Sequence, residues 1–236
     1  MTSLSKEPLI CLAHRGASGH APENTLAAFE KAVELGADWI ELDVFAVENA
    51  LVVIHDNRLE RTTNGAGYVM TSSVAYLRSL DAGNGQKIPL LSEVLELAAG
   101  KIKVNIELKG PGTAGPVAAL IEFYVKNQGR QYADFLVSSF DHRQVKKAKT
   151  LCPGLPIAPN LTGPPLNLDR LVADLSPFSI HVDADFVTTE LVDEIHGLGC
   201  PAFVFTANTV EEIKRLRDMG VDGVFTNFPE RVKQAG

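Results

Sequence analysis

The feature that most constrains the fold of this chain is a pattern that repeats along its length. Eight short runs rich in β-branched and aromatic residues alternate with segments whose apolar residues recur at helical spacing. The predicted strands are 9–14, 39–44, 103–108, 135–139, 155–159, 178–183, 202–207 and 222–227. Predicted helices lie at 115–128, 141–149, 167–174, 189–198 and 210–219. Strands that alternate with helices pair in parallel, because each return crossover needs a helix.

Eight such units predict a closed (β/α)8 barrel, the TIM-barrel fold of the α/β class. A chain of 236 residues gives each unit about 30 residues, which matches the usual length of this fold. We therefore predict one TIM-barrel domain over 1–236. Periodicity alone does not separate eight parallel strands that close from eight that form an open, doubly wound sheet, which stays as the alternative.

The first predicted helix carries recognisable end signals. Asn24 or Thr25 can cap its amino terminus, because both side chains accept hydrogen bonds from free backbone N–H groups. Gly36 suits the left-handed conformation at its carboxyl end. The helix is therefore expected to occupy the residues between them.

The second unit is irregular. The run 51–55 predicts an extra short strand directly after the second predicted strand, and the connection onward is longer than a simple crossover. Two stretches within that connection, 72–80 and 91–99, have helical spacing. We predict a small insertion after the second strand, at about 56–100, with structure of its own over the barrel mouth.

Composition excludes several classes of function. The formal net charge is -7, and the Lys and Arg residues are scattered, which argues against nucleic acid or an anionic membrane surface as partner. No segment approaches the length of a membrane span, and MTSLSKEPLI at the amino terminus lacks the apolar core of a signal sequence. The three cysteines, Cys11, Cys152 and Cys200, have no CxxC spacing. We expect a cytoplasmic protein that acts on a small molecule.

Acidic residues stand at the ends of two predicted strands, where barrel enzymes place catalytic groups. Glu41 and Asp43 are two residues apart in WIELDV, so both point the same way, and Glu107 and Lys109 repeat this spacing in NIELKG. Three converging carboxylates would repel one another unless a cation bridges them. Oxygen ligands favour Mg²⁺ or Ca²⁺. The alternative is that these carboxylates form structural ion pairs with Arg15 or Lys109.

Two histidines end apolar runs. His14 closes LICLAH and His55 closes LVVIH, so both are expected at strand exits beside the carboxylates. A pair of imidazoles suits proton transfer to and from reacting oxygens, although a single histidine at a strand end is more often structural. The remaining histidines are interpreted as structural or surface residues: His20, His142, His181 and His196.

Arg15 and Lys109 would supply local positive charge in an acidic chain. Gly16 leaves the backbone open beside Arg15, so the two cations could clamp a phosphate group. The alternative is that each only neutralises a neighbouring carboxylate.

Several separated motifs resemble one known family. The segments AHRGASGHAPENT, ELDV, VVIHDNRLERTTNGAGYV, IPLLSEVL, NIELKG, SSFD and GVDGVFTNFPE occur in the order found in the glycerophosphodiester phosphodiesterases, from about residue 9 to 231. That family is a (β/α)8 barrel related to the phosphatidylinositol-specific phospholipases C, with a small insertion after the second strand. The resemblance implies metal-dependent hydrolysis of a glycerophosphodiester, such as glycerophosphocholine or glycerophosphoethanolamine, to glycerol 3-phosphate and an alcohol.

The resemblance also implies roles for individual residues. Its HRG, ExD, HD and ExK motifs imply acid and base catalysis by His14 and His55, phosphate contacts from Arg15 and Lys109, and metal ligation by Glu41, Asp43 and Glu107. Family members often carry Trp near the substrate glycerol where this chain has Phe205 in AFVFTAN, and Asp is frequent where Asn227 stands. These departures affect the rim of the site and hence the preferred alcohol group.

The residues of the sequence are also compatible with two other functions. A phosphodiesterase of lysophospholipids or of a sphingolipid head group would need an apolar patch for acyl chains, and the sequence offers no exposed amphipathic helix or aromatic belt. A non-catalytic barrel that binds a phosphorylated ligand would not require an acid and base pair.

Overall fold

The structure is a computed structural model, and it describes residues 8–236. Within this range the strands are β1 (Ile10–Ala13), β2 (Trp39–Val47), β3 (Ala50–Val53), β4 (Lys103–Leu108), β5 (Phe135–Ser139), β6 (Ile157–Leu161), β7 (Ile180–Asp183), β8 (Ala202–Phe205) and β9 (Gly223–Thr226). The α-helices are α1 (Leu26–Leu35), α2 (Val74–Ser79), α3 (Leu91–Ala98), α4 (Ala114–Asn127), α5 (His142–Leu151), α6 (Leu168–Leu175), α7 (Thr189–Gly197), α8 (Val210–Asp218) and α9 (Glu230–Gln234). All the predicted strands and helices are present, with ends that differ by a few residues.

The parallel strands close into a barrel. Their order is β1-β9-β8-β7-β6-β5-β4-β2, and β1 also pairs with β2, where Leu12 lies opposite Trp39. This last pairing distinguishes the barrel from an open sheet, so the TIM-barrel prediction is confirmed. Residues of six of the strands form an apolar cluster, half of it aromatic: Leu12, Trp39, Leu136, Ala158, Phe203 and Phe225.

The register of the strands aligns the acidic residues. β2 and β4 are neighbours although the insertion separates them along the chain, and Asp43 lies directly opposite Glu107. Glu41 lies opposite Asn105 in the same pair of strands. Because side chains alternate between the two faces of a strand, all four point into the barrel near the carboxyl ends of the strands.

Helix α1 settles the choice between the two candidate caps. The Thr25 side chain accepts a hydrogen bond from the Ala28 N–H, and Gly36 ends the helix in the left-handed conformation at φ 70°. Asn24 has a different partner, because its Nδ2 donates to Asp43 Oδ2 at 2.9 Å. Asn24 therefore binds the carboxylate of Asp43, and Thr25 alone caps the helix.

The insertion has an apolar core of its own. β3 pairs antiparallel with β2, and a short 3-10 helix (Val69–Thr71), α2 and α3 follow before β4. Buried residues of the insertion form one apolar cluster with residues of β2 and β3: Phe45, Val47, Val52, Ile54, Leu59, Val69, Leu77, Leu80, Ala82 and Ile88. Among residues 8–236, no helix combines the length and apolar character needed to cross a bilayer.

Candidate active site

A cavity of about 220 Å³ opens at the carboxyl ends of the barrel strands. Its wall contains every residue singled out in the sequence: His14, Arg15, Glu41, Asp43, His55, Glu107, Lys109 and Phe205. These side chains come from β2, β4, β8 and the loops after β1, β3 and β4, so only the closed barrel brings them together. Seven further residues line the cavity and were not assigned to the site from the sequence: Asn105, Ser138, Phe140, Asn160, His181, Thr206 and Phe225.

The three carboxylates converge. Glu41, Asp43 and Glu107 each offer one oxygen atom within 4.8 Å of the other two, and Glu41 and Asp43 are almost fully buried. Burial, and then the charges of the neighbouring carboxylates, raise the pKa of Glu41 well above its ordinary value. Burial, and then Asp43, raise the pKa of Glu107 to about 7. A divalent cation would remove this repulsion, and the all-oxygen donor set is compatible with one.

Two cationic side chains neutralise part of this acidic cluster. Lys109 Nζ donates to Glu107 Oε1 at 2.7 Å and lies 3.7 Å from Asp43, and Arg15 Nε lies 3.5 Å from Asp43. Glu41 Oε2 accepts only the backbone N–H of Arg15, at 2.8 Å, and forms no ion pair within the described residues 8–236. The ion pairs expected as the alternative are therefore present, but none of those in the described part of the chain includes the buried Glu41 carboxylate.

His14 is held in one tautomer. Its Nδ1 lies 2.8 Å from Asn227 Oδ1, an amide oxygen that can only accept, so Nδ1 carries the proton and Nε2 has a free lone pair. Desolvation in the cavity wall, and then the charge of Arg15, lower the pKa of His14 to about 4. The imidazole is therefore neutral at pH 7 and able to accept a proton.

His55 is also held in one tautomer. Its Nδ1 donates to Asp56 Oδ1 at 2.5 Å, and its Nε2 accepts from Lys109 Nζ at 3.2 Å. The carboxylate of Asp56 would stabilise the positive charge that forms when Nε2 takes up a proton. Asp56 was not identified as a site residue from the sequence, although it stands directly after His55.

An unusual backbone turn places Arg15. Arg15 and Gly16 both adopt the left-handed conformation, at φ 56° and 79°. A Cβ atom on Gly16 would lie 2.7 Å from the backbone of Ala28, so only glycine fits where this turn meets α1. The turn sends the Arg15 N–H to Glu41 and its side chain to Glu23, with Nη1 donating to Oε1 at 2.9 Å.

Phe205 lines the cavity with two other aromatic rings. Its ring lies edge-on to Phe140 at 5.7 Å and to Phe225 at 6.2 Å between centroids. Phe140 is 43% exposed, and Lys109 Nζ lies 5.7 Å from the centre of its ring. Phe205 is thus part of an apolar side of the cavity, facing a charged side.

The structure places His181 in the cavity wall. Its Nδ1 donates to Asn160 Oδ1 at 3.0 Å, and Asn160 Nδ2 donates to Glu107 Oε2 at 3.0 Å. Ser179 completes the chain by donating to His181 Nε2 at 3.1 Å. His181 is therefore linked to the carboxylate cluster through Asn160. The other three histidines bond elsewhere: His20 to Glu230, His142 to the Asn160 carbonyl and His196 to Asp222.

His181 gives a pH-dependence prediction. Burial lowers its pKa from 6.5 to about 3, so between these values the unfolded chain binds a proton that the native protein does not. Acidification therefore destabilises the native state through this residue. From pH 7 to 5 we expect the free energy of unfolding of the wild type to fall by about 2 kcal/mol more than that of His181→Gln, measured by urea unfolding in chelator. Parallel curves for the two proteins would contradict the prediction.

Comparisons with known proteins place this architecture in a family. Residues 14–231 match the model of the glycerophosphoryl diester phosphodiesterase family. A glycerophosphodiester phosphodiesterase of Bacillus altitudinis is 37% identical, with 93% of this chain and 94% of the relative aligned. One from Caldanaerobacter subterraneus is 35% identical over 94% and 95% of the two chains. The solved structure of a phosphodiesterase from Oleispira antarctica, in complex with the product sn-glycerol-3-phosphate, superposes with a TM-score of 0.87 at 30% identity, covering 96% of both chains.

A match over nearly the whole chain, relatives above 30% identity and the shared barrel agree with the motifs in the sequence. The chain belongs to the glycerophosphoryl diester phosphodiesterase family and is an enzyme of that class.

Proposed function

We propose that this enzyme hydrolyses glycerophosphodiesters such as glycerophosphocholine and glycerophosphoethanolamine to glycerol 3-phosphate and an alcohol, with one divalent cation and acid and base catalysis by His14 and His55. The observation that carries the proposal is the convergence of three carboxylates, the imidazoles of His14 and His55 and two cationic side chains on one cavity. The product bound to the Oleispira antarctica relative supports this choice of substrate class.

We assign the cation to Glu41, Asp43 and Glu107. The donors are all oxygen, and the buried Glu41 carboxylate forms no ion pair among residues 8–236, which fits Mg²⁺ or Ca²⁺. When bound, the cation supplies positive charge that neutralises both the carboxylates and the phosphate oxygens of the substrate.

Arg15 and Lys109 bind the phosphate in this proposal. A phosphodiester carries a negative charge that repels nucleophiles, so neutralisation must precede attack. The Arg15 guanidinium and the Lys109 ammonium both line the cavity, with contacts to Glu23 and Glu107 respectively. Phe205 would contact the substrate from the apolar side of the cavity.

The two histidines divide the proton transfers. His14 is neutral with a free Nε2 lone pair, which suits it to remove a proton from the attacking oxygen. His55 has its Nδ1–H on Asp56, which stabilises the cationic ring that delivers a proton to the departing alkoxide. Because one ring must be neutral and the other charged, the rate is expected to follow a bell-shaped pH profile.

The attacking oxygen is proposed to be the glycerol 2-hydroxyl of the substrate, which gives a cyclic phosphate before water opens it. An analogue that lacks the 2-hydroxyl is then expected to react at least about 100-fold more slowly, because an intramolecular nucleophile has a high effective concentration. The measurement is the initial rate of choline release from glycerophosphocholine and from its 2-deoxy analogue. Equal rates would favour water as the direct nucleophile.

Lysophospholipids are a second candidate substrate class, because the structure exposes apolar side chains that the sequence did not reveal as a patch. Phe140, Leu166 and Phe186 follow β5, β6 and β7, at the end of the barrel where the cavity opens, and are 43%, 100% and 47% exposed. Faster turnover of lysophosphatidylcholine than of glycerophosphocholine would favour this class.

The experiment that tests the proposed function measures glycerol 3-phosphate released from a panel of glycerophosphodiesters, with added Mg²⁺ or Ca²⁺ and again after chelation. We expect release that depends on the cation and stops in chelator. Retention of a glycerophosphodiester without turnover under any of these conditions would instead support a non-catalytic binding protein.

The cysteines Cys11, Cys152 and Cys200 are buried and unpaired, which supports a cytoplasmic location.

A further inference from the structure

Arg61 lies on the loop after β3, outside the cavity wall, and joins two parts of the chain. Its Nη1 and Nη2 donate to the two carboxylate oxygens of Glu23 at 2.8 and 2.7 Å. Its Nη2 also donates to Asp56 Oδ1 at 3.0 Å, and its Nε donates to Asp56 Oδ2. One planar guanidinium thus holds two carboxylates, one from the β1–α1 loop and one from the insertion.

Each of these carboxylates holds a residue of the proposed mechanism. Glu23 Oε1 accepts from Arg15 Nη1 at 2.9 Å, and Asp56 Oδ1 accepts from His55 Nδ1 at 2.5 Å. The contacts form a continuous chain from the phosphate-binding side of the cavity to the second histidine, with Arg61 at its centre.

The charges along this chain alternate. Arg61 is the largest cause of the lowered pKa of Asp56, and Arg61 and Arg15 together lower the pKa of Glu23, against burial, to about 2. Without the Arg61 guanidinium, Glu23 would bind Arg15 alone and compete with a phosphate group for it. Asp56 would lose the partner that fixes its orientation toward His55.

Stability alone is a weak explanation for this arrangement. Arg61 is 47% exposed, and exposed ion pairs usually contribute about 1 kcal/mol or less. Arg58 provides the contrast, because it lies on the same loop, is 55% exposed and pairs with Glu60, which bonds the backbone of Gly67 and no residue of the cavity.

We propose that Arg61 is a positioning residue that fixes Glu23 and Asp56, so that Arg15 is presented to the phosphate and His55 keeps its Nδ1–H tautomer. This inference rests on the proposed function for the roles of Arg15 and His55. Partners that orient a ligand or catalytic histidine commonly change affinity or activity 10- to 100-fold when removed.

The test compares Arg61→Gln with the matched control Arg58→Gln. For Arg61→Gln we expect kcat/KM for glycerophosphocholine to fall at least about tenfold, with a raised KM because Glu23 now competes for Arg15. The ring ¹⁵N shifts of His55, measured in the cation-free protein, are expected to show a mixture of tautomers in place of the single Nδ1–H form. Arg58→Gln should match the wild type in both measurements.

Arg61→Lys keeps a charge but cannot bind two carboxylates in a fork, so it covers the case in which Arg61→Gln fails to fold. We expect it to lower kcat/KM while its melting temperature stays near that of Arg58→Gln. The inference is overturned if a folded Arg61 variant keeps the wild-type kcat/KM and His55 shifts, or if Arg58→Gln shows the same losses. A wild type without any turnover would refute the proposed function, while the His55 shifts would still decide the role of Arg61.

Discussion

Replacement of His14 or His55 by Asn is expected to reduce kcat for glycerophosphocholine by about 10²- to 10⁴-fold, the range usual for removal of a general acid or base. His14 offers an unprotonated Nε2 because Asn227 holds its Nδ1 proton, and asparagine cannot replace that basic atom. His55 would lose the ring whose charge Asp56 stabilises. The measurement is kcat at saturating substrate and cation.

A measurement of cation binding distinguishes the loss of a catalytic histidine from disruption of the cation site. Neither histidine belongs to the carboxylate cluster, so calorimetric titration with Mg²⁺ or Ca²⁺ should give affinities near that of the wild type. His196→Asn is the matched control and should leave kcat unchanged, because His196 lies on helix α7, pairs with Asp222 and does not line the cavity. A variant of His14 or His55 that keeps kcat within threefold of the wild type would remove that residue from the proposed mechanism.

The sequence predicts the barrel and most of the cavity for one physical reason. Strands of a barrel alternate between an inner and an outer face, and polar groups at inner positions near the carboxyl ends of strands stand out against apolar surroundings. Glu41, Asp43 and Glu107 satisfy this rule, and the structure brings them together. The same rule could have indicated His181, whose neighbours Ile180 and Val182 pack outside the barrel.

The sequence alone could not predict the contacts between segments that lie far apart along the chain. The register that sets Asp43 opposite Glu107 depends on β2 and β4 becoming neighbours across the insertion. Asn24 looked like a helix cap, and only the tertiary structure shows its amide on Asp43. Arg61 stands in a turn-rich segment, 38 residues from Glu23, and nothing local distinguishes it from Arg58. Such long-range hydrogen bonds have no periodic signal in a sequence.

Replacement of Glu41 by Gln is expected to change stability in opposite directions with and without a cation. Burial and the neighbouring carboxylates raise the pKa of Glu41, so its ionised form costs stability in the cation-free protein at pH values above that raised pKa. Glutamine has no charge and keeps an oxygen for the Arg15 N–H. In chelator at pH 8 the free energy of unfolding of Glu41→Gln should therefore exceed that of the wild type.

With added cation, the free energy of unfolding of the wild type should exceed that of Glu41→Gln. A cation at about 100 times its Kd stabilises the wild type by about 2.7 kcal/mol, whereas Glu41→Gln has lost one of the three charged ligands and should gain much less. The same variant should lose at least about 100-fold in kcat/KM, because phosphate neutralisation depends on the bound cation. Glu34→Gln, at an exposed ion pair with Lys31, is the control and should respond to cation like the wild type. Equal stabilisation of Glu41→Gln and wild type by Mg²⁺ and by Ca²⁺ would place the cation elsewhere, since the buried Glu41 carboxylate would then have no part in holding it.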